Sequence, residues 1–225
     1  MKEVSDLIEG IYRICEWIMR FSVTNMLWVV FNLPIAFLVL NLYFIEHTEY
    51  LMFSIIPLII MLPFLYFPAT AAMFASARDW VMKEENTSIR QYWSYYLENY
   101  KKSMLGGLIL TGVWTVWGVD YYYFSQENVV LTFIFLVMGV ILFVFTINFF
   151  SMLSHYEMKL PKIMKNALII TLGCPILFLT ILISSGILLY MSLNGFEFLF
   201  IFFTGSLISY LSFSAFYRFY LKMTA

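Results

Sequence analysis

The chain has 225 residues, of which 62% are hydrophobic, 20% aromatic and only 12% charged. A soluble domain carries about 25% charged residues; half that supply cannot cover a water-facing surface, so the outer surface is expected to face lipid. The formal net charge of −1 supplies no basic field for nucleic acid, which is excluded as a partner.

Residues 1–20 place Val4, Leu7, Ile8, Ile11, Cys15 and Ile18 on one helical face and Glu3, Asp6, Glu9, Arg13 and Glu16 on the other. That is the pattern of an amphipathic helix lying on a membrane. A span needs about 20 predominantly apolar residues. Apolar runs of that kind fall at 21–45, 51–77, 129–153, 167–193 and 198–217, and a weaker one at 104–124 crosses Asp120. The run from Phe21 is too long for a secretory h-region and no small-residue cleavage site follows it, so it is expected to stay as the first span. Between spans two and three, Ser88 and Gln91 have capping-box spacing. Ile89, Tyr92, Trp93, Tyr96 and Tyr100 then recur at helical spacing, which predicts an amphipathic cytoplasmic helix over 88–102. Its aromatic stripe is either an interfacial anchor beside Lys101 and Lys102 or a docking face for a partner.

All 13 Lys and Arg residues lie in four segments: the N-terminus, the stretch after span two, the stretch after span four, and the C-terminus. The loops at 46–50, 120–128 and 194–197 hold none. Positive charge stays in the cytoplasm. The fold class expected is therefore all-α: a single polytopic membrane helix bundle over 1–225, about six transmembrane helices, both termini inside.

Asn25 and Asn32 are seven residues apart and share one face of the first span. With Trp28 they either bond neighbouring helices or line a polar path. Asn148 and Ser151 carry the same two readings. The second span is interrupted by Pro57, Pro63 and Pro68, each of which removes a backbone donor. Broken membrane helices can form binding sites, so Pro63, Pro68 and the following Thr70 are candidates for a substrate path or for close packing. On the last span, Gly205, Ser209 and Ser212 read as packing residues. Cys15 and Cys174, and likewise His47 and His155, are too scattered for a metal or disulfide pattern. No nucleophile–base pair, phosphate loop or nucleotide fingerprint is present. No catalytic site, metal or cofactor is expected, and the chain is not expected to be an enzyme.

Several short runs together carry a resemblance. Gly10, Ile11, Tyr12, Arg13, Ile14, Cys15, Glu16 and Trp17 are followed by Asn25, Met26, Leu27 and Trp28. Then come Phe67, Pro68, Ala69, Thr70, Ala71, Ala72, Met73 and Phe74, with Arg78 and Trp80. Tyr92 and Trp93, then Tyr100, Lys101, Lys102 and Ser103, then Leu105 and Gly106 complete the series. Over Gly10 to Gly106 the chain resembles the YesL family of bacterial integral membrane proteins, a family of unknown function. Asp79 departs from its pattern, standing where a basic residue is usual, and would neutralise Arg78; Tyr100 stands where phenylalanine is usual. The resemblance implies a bacterial inner membrane. It also implies an association with carbohydrate uptake, because members are often encoded beside such systems. Two functions are expected from this: a non-enzymatic accessory, in assembly or regulation, of carbohydrate transporter subunits, or a stand-alone carrier or channel for a neutral small solute such as a sugar.

Overall fold

The computed structural model describes residues 2–44, 51–82 and 89–224. Every element among them is helical: α1 (Lys2–Phe31), α2 (Leu33–Phe44), α3 (Leu51–Met61), α4 (Phe67–Met82), α5 (Ile89–Glu127), α6 (Val129–His155), α7 (Leu160–Gly173), α8 (Pro175–Leu193), α9 (Glu197–Leu199) and α10 (Gly205–Thr224). Two π-helical turns, Leu62–Tyr66 and Phe200–Thr204, join α3 to α4 and α9 to α10. Among the described residues, five stretches are long and apolar enough to cross a membrane: Ile8–Phe31, Leu51–Met82, Val129–His155, Pro175–Leu193 and Glu197–Met223. By length and composition these are the helices of a membrane protein.

Three boundaries differ from the expected ones, each for a local reason. First, the surface helix at 1–20 and the start of the span at 21–45 form one helix, α1, which breaks at Asn32. Pro34 explains the break: it has no N–H to donate to the preceding turn, and its ring crowds the carbonyl four residues back. Second, the helix expected at 88–102 continues without interruption through the segment 104–124 as the 39 residues of α5. No proline lies within it, and Ser103, midway, returns its Oγ to Asn99 O and Tyr100 O. Third, the run 167–193 is cut at Cys174, where Pro175 opens α8. α7 therefore carries Lys162 and Lys165, and the apolar stretch long enough to span is α8 alone.

The bundle is built around α4. Phe67 to Ala77 are all buried, and so are Asp79 and Trp80. A helix buried all round belongs at the centre of a packed set, and α5, α6, α10 and α1 surround it. The small residues Ala69, Thr70, Ala71 and Ala72 let the neighbours approach closely. Phe67 and Phe74 lie against Phe150 of α6, with ring centroids 5.5 and 5.4 Å apart. At Gly107 a Cβ would stand 2.7 Å from Phe67 Cγ, so the approach of α5 to α4 there requires glycine.

Candidate functional site

The two π-helical turns meet at one cavity. Pro63 lies within the first turn and Pro68 just after it, and neither supplies an N–H; the wider turn closes with Phe67 N bonded to Leu62 O. The second turn is held by Asn25. Its Nδ2 donates to Phe200 O at 3.0 Å and Ile201 O at 2.6 Å, and its Oδ1 accepts from Ser206 N at 3.0 Å. A π-helical turn leaves backbone groups out of the regular ladder, and a fully buried amide used at both ends satisfies three of them. The cavity between the turns has a volume of about 430 Å³ and is walled by Leu62, Tyr66, Thr70, Phe150, Phe200 and Thr204, among others from α1, α5 and α6.

The sequence-derived path residues divide around this cavity. Trp28 and Thr70 line it and bond each other, Nε1 to Oγ1 at 3.0 Å. Pro63 and Pro68 are buried and shape the turn without lining the cavity. Asn25 is consumed in holding the second turn. Asn32 caps α1 by donating to Trp28 O at 2.8 Å, and its Oδ1 has no partner among the described residues. Asn148 donates to Thr171 Oγ1 at 2.9 Å, joining α6 to α7. Ser209 and Ser212 are fully buried in packing.

The proposed docking stripe faces mainly inward. Tyr92 and Tyr96 are buried against Ala69, Ala72 and Met73, with Phe31 packed over them. Tyr92 donates to Ala69 O at 2.8 Å. Tyr100 is half-buried beside Tyr96. Ile89 and Trp93 remain exposed at 63% and 49%, and Leu97, four residues further, at 56%. The stripe is one continuous face of α5: its Tyr92 and Tyr96 edge is covered, Trp93 stacks on Phe31 and Tyr96, and Ile89, Trp93 and Leu97 form the exposed edge.

The expected pairing of Asp79 with Arg78 is present at 2.8 Å, but sequence reading missed the polar knot built around it at the end of α4. Asp79 is fully buried. Its Oδ1 accepts from Arg78 Nε at 3.0 Å and Nη2 at 2.8 Å; its Oδ2 accepts from Tyr95 Oη and from Gln91 Nε2 at 3.3 Å. Arg78 Nη1 donates onward to Ser154 O at 2.8 Å, so the knot ties α4, α5 and α6. Burial, then the Asp79 hydrogen bond and charge, push the Tyr95 phenol up to about 12. The available signal was Arg78 beside Asp79 at the end of an apolar run, with Gln91 and Tyr95 one turn apart. His155 packs edge-on among Tyr156, Phe213, Phe216 and Tyr220.

The family described as "Protein of unknown function, DUF624" matches residues 21–121. The chain is also 26% identical over 226 aligned positions to "Uncharacterized protein YesL" of Bacillus subtilis (strain 168), covering 96% of this chain and 94% of that protein. The chain is YesL-like. The resemblance read from the runs at 10–106 is therefore shown, and the matched region extends through the third apolar segment. Two further B. subtilis proteins are similar to this YesL-like chain. "Uncharacterized protein YteU" is 27% identical over 72% of the chain and 63% of its own length, so the chain spans under two thirds of it. "Uncharacterized protein YesV" is 26% identical over 81% of the chain and 78% of its own length. No solved structure matches significantly.

Proposed function

We propose that this YesL-like protein is a non-enzymatic accessory component, acting in assembly or regulation, of a carbohydrate transporter in the bacterial cytoplasmic membrane. It crosses the membrane six times with both termini inside and docks its partner through the N-terminal part of α5. The observation that carries this reading is the ridge of Ile89, Trp93 and Leu97. These residues recur every four positions and are exposed, while Tyr92 and Tyr96 anchor the adjoining edge of the same helix face and Trp93 stacks on Tyr96. A rigidly backed apolar ridge suits helix-in-groove recognition. Lys101 and Lys102, exposed at its end, suit the cytoplasmic surface.

Pairing of α5 with α6 supports the sixth span. Gly106 lies beside Phe149, Trp114 Nε1 donates to Thr146 Oγ1 at 3.1 Å, and the Phe124 and Phe135 rings are 5.1 Å apart. The two helices therefore run antiparallel from residue 106 to 124, about 27 Å at 1.5 Å per residue, close to the roughly 30 Å of a hydrocarbon core. The segregation of all 13 basic residues supports the orientation. The carbohydrate is the expectation attached to the family resemblance.

Crosslinked affinity purification from native membranes, read by mass spectrometry, tests the proposal. Permease subunits should be recovered with the native chain and lost with Trp93→Glu and Leu97→Glu. Recovery unchanged in correctly inserted variants contradicts it. A stand-alone carrier is the second reading, favoured by the cavity beside Trp28 and Thr70. It expects solute flux in liposomes from the purified protein alone.

A further inference from the structure

The cavity between the two π-helical turns is suited to an apolar chain. Its volume of about 430 Å³ lies within the roughly 300–1,000 Å³ of ligand pockets and is nearly three times the ~150 Å³ apolar cavity that stays dry and takes up benzene. Its polar groups are mostly spent on one another. Trp28 donates to Thr70, Trp114 donates to Thr146, and Thr204 hydrogen-bonds Ser192. Thr111 is 5% exposed, and its unpartnered Oγ1 is itself buried rather than open to the cavity. A sugar brings a donor or acceptor on nearly every carbon, and each left unmatched in such a wall is costly. A long apolar chain asks for no such partners.

Access also selects the ligand. Phe200 lines the cavity and is itself 44% exposed, so the cavity reaches the helix surface beside it. Phe198 and Ile201 are exposed there too, on a stretch apolar enough to cross a membrane. The medium facing such a mouth is lipid. Both π-helical turns contribute to the wall, and such turns are frequent at functional sites.

We propose that this cavity binds a fatty acyl chain. The chain lies along Phe67, Phe150 and Ile208. The site is independent of the docking ridge on α5, so either assignment can fail without the other.

The test is photolabelling of the purified full-length protein. One arm uses a diazirine-tagged fatty acid in detergent, the other a diazirine-tagged phosphatidylglycerol in vesicles, with adducts mapped by mass spectrometry. Adducts on the cavity residues of α4 and α5, competed by excess untagged ligand, are expected in at least one arm. Labelling in the first arm alone identifies a free acid, in the second alone a bilayer lipid, in both the chain itself. Leu189→Trp and Ile208→Phe fill the cavity from α8 and α10, and either one that remains folded should abolish the cavity adducts. Adducts confined to the outward residues Leu105, Ile109 and Val113 in both arms overturn the proposal. Cavity adducts that persist in both filled variants do so as well.

Discussion

Replacing Asp79 with asparagine keeps the shape of the polar knot and removes its charge. Asp79 is fully buried and receives two N–H groups of Arg78, one of Gln91 and the hydroxyl of Tyr95. Removing one partner of a buried ion pair costs about 3–5 kcal/mol, because the other charge is left uncompensated. Arg78 is better placed than that: its side chain is 27% exposed, it keeps Ser154 O, and its guanidinium lies over the Tyr95 ring at 5.5 Å. We therefore expect Asp79→Asn to destabilise the bundle by about 2–3 kcal/mol, near the lower end of that range. Tyr95→Phe, which removes one hydrogen bond to a charged group, should cost about 1.5–3 kcal/mol. The double variant should cost less than the sum by about 1 kcal/mol, since the two residues share one interaction. The assay is unfolding in mixed micelles of increasing dodecyl sulfate fraction, followed by far-ultraviolet circular dichroism. Asp79→Asn within about 0.5 kcal/mol of the native chain, the range of an ordinary surface change, would refute the reasoning. So would strict additivity with Tyr95→Phe.

Other outcomes follow from the same contacts. The folded protein holds the Tyr95 proton more tightly than the unfolded chain, with the phenol pushed from 10.0 to about 12. The linked stability is intact below pH 10 and is lost as pH rises through about 12; this loss should be smaller in Tyr95→Phe unfolding curves. Asn25→Ala should release Phe200 O, Ile201 O and Ser206 N, costing about 1–3 kcal/mol and speeding amide hydrogen exchange across 200–206. Gly107→Ala should cost about 1–3 kcal/mol by overpacking against Phe67, whereas Gly118→Ala, with nothing within 4 Å of its Cβ, should not destabilise, as thermal unfolding will show. Single cysteines at Ser125 and Asn194 should react with an impermeant thiol reagent applied outside cells, and one at Lys162 should not; the reverse pattern inverts the orientation.

The apolar runs and the family resemblance were legible because both depend on composition and local motifs. Helix ends were less so. Pro34 and Pro175 cut runs that hydropathy alone reads as continuous, while Ser103 let two predicted segments fuse into α5. The inward placement of Asn25 and Asn32 was readable from their spacing. The task of Asn25 was not, because its partners lie some 175 residues away in a π-helical turn that no local pattern announces. On α5 the periodicity identified an aromatic face, but not that its Tyr92 and Tyr96 edge is buried while Ile89, Trp93 and Leu97 leave the other edge exposed. Which edge is covered depends on Phe31 and Ala69, residues of other helices. The cavity itself needed Thr111, Thr146 and Thr204, which look like ordinary helix residues until three helices bring them together.

The docking claim is tested most directly by placing a photocrosslinking amino acid at position 97 or at position 92 in cells and identifying the adducts. The account predicts a transporter permease subunit captured from position 97 and only internal adducts from position 92. Lipid alone captured from position 97, with no protein partner, would contradict it.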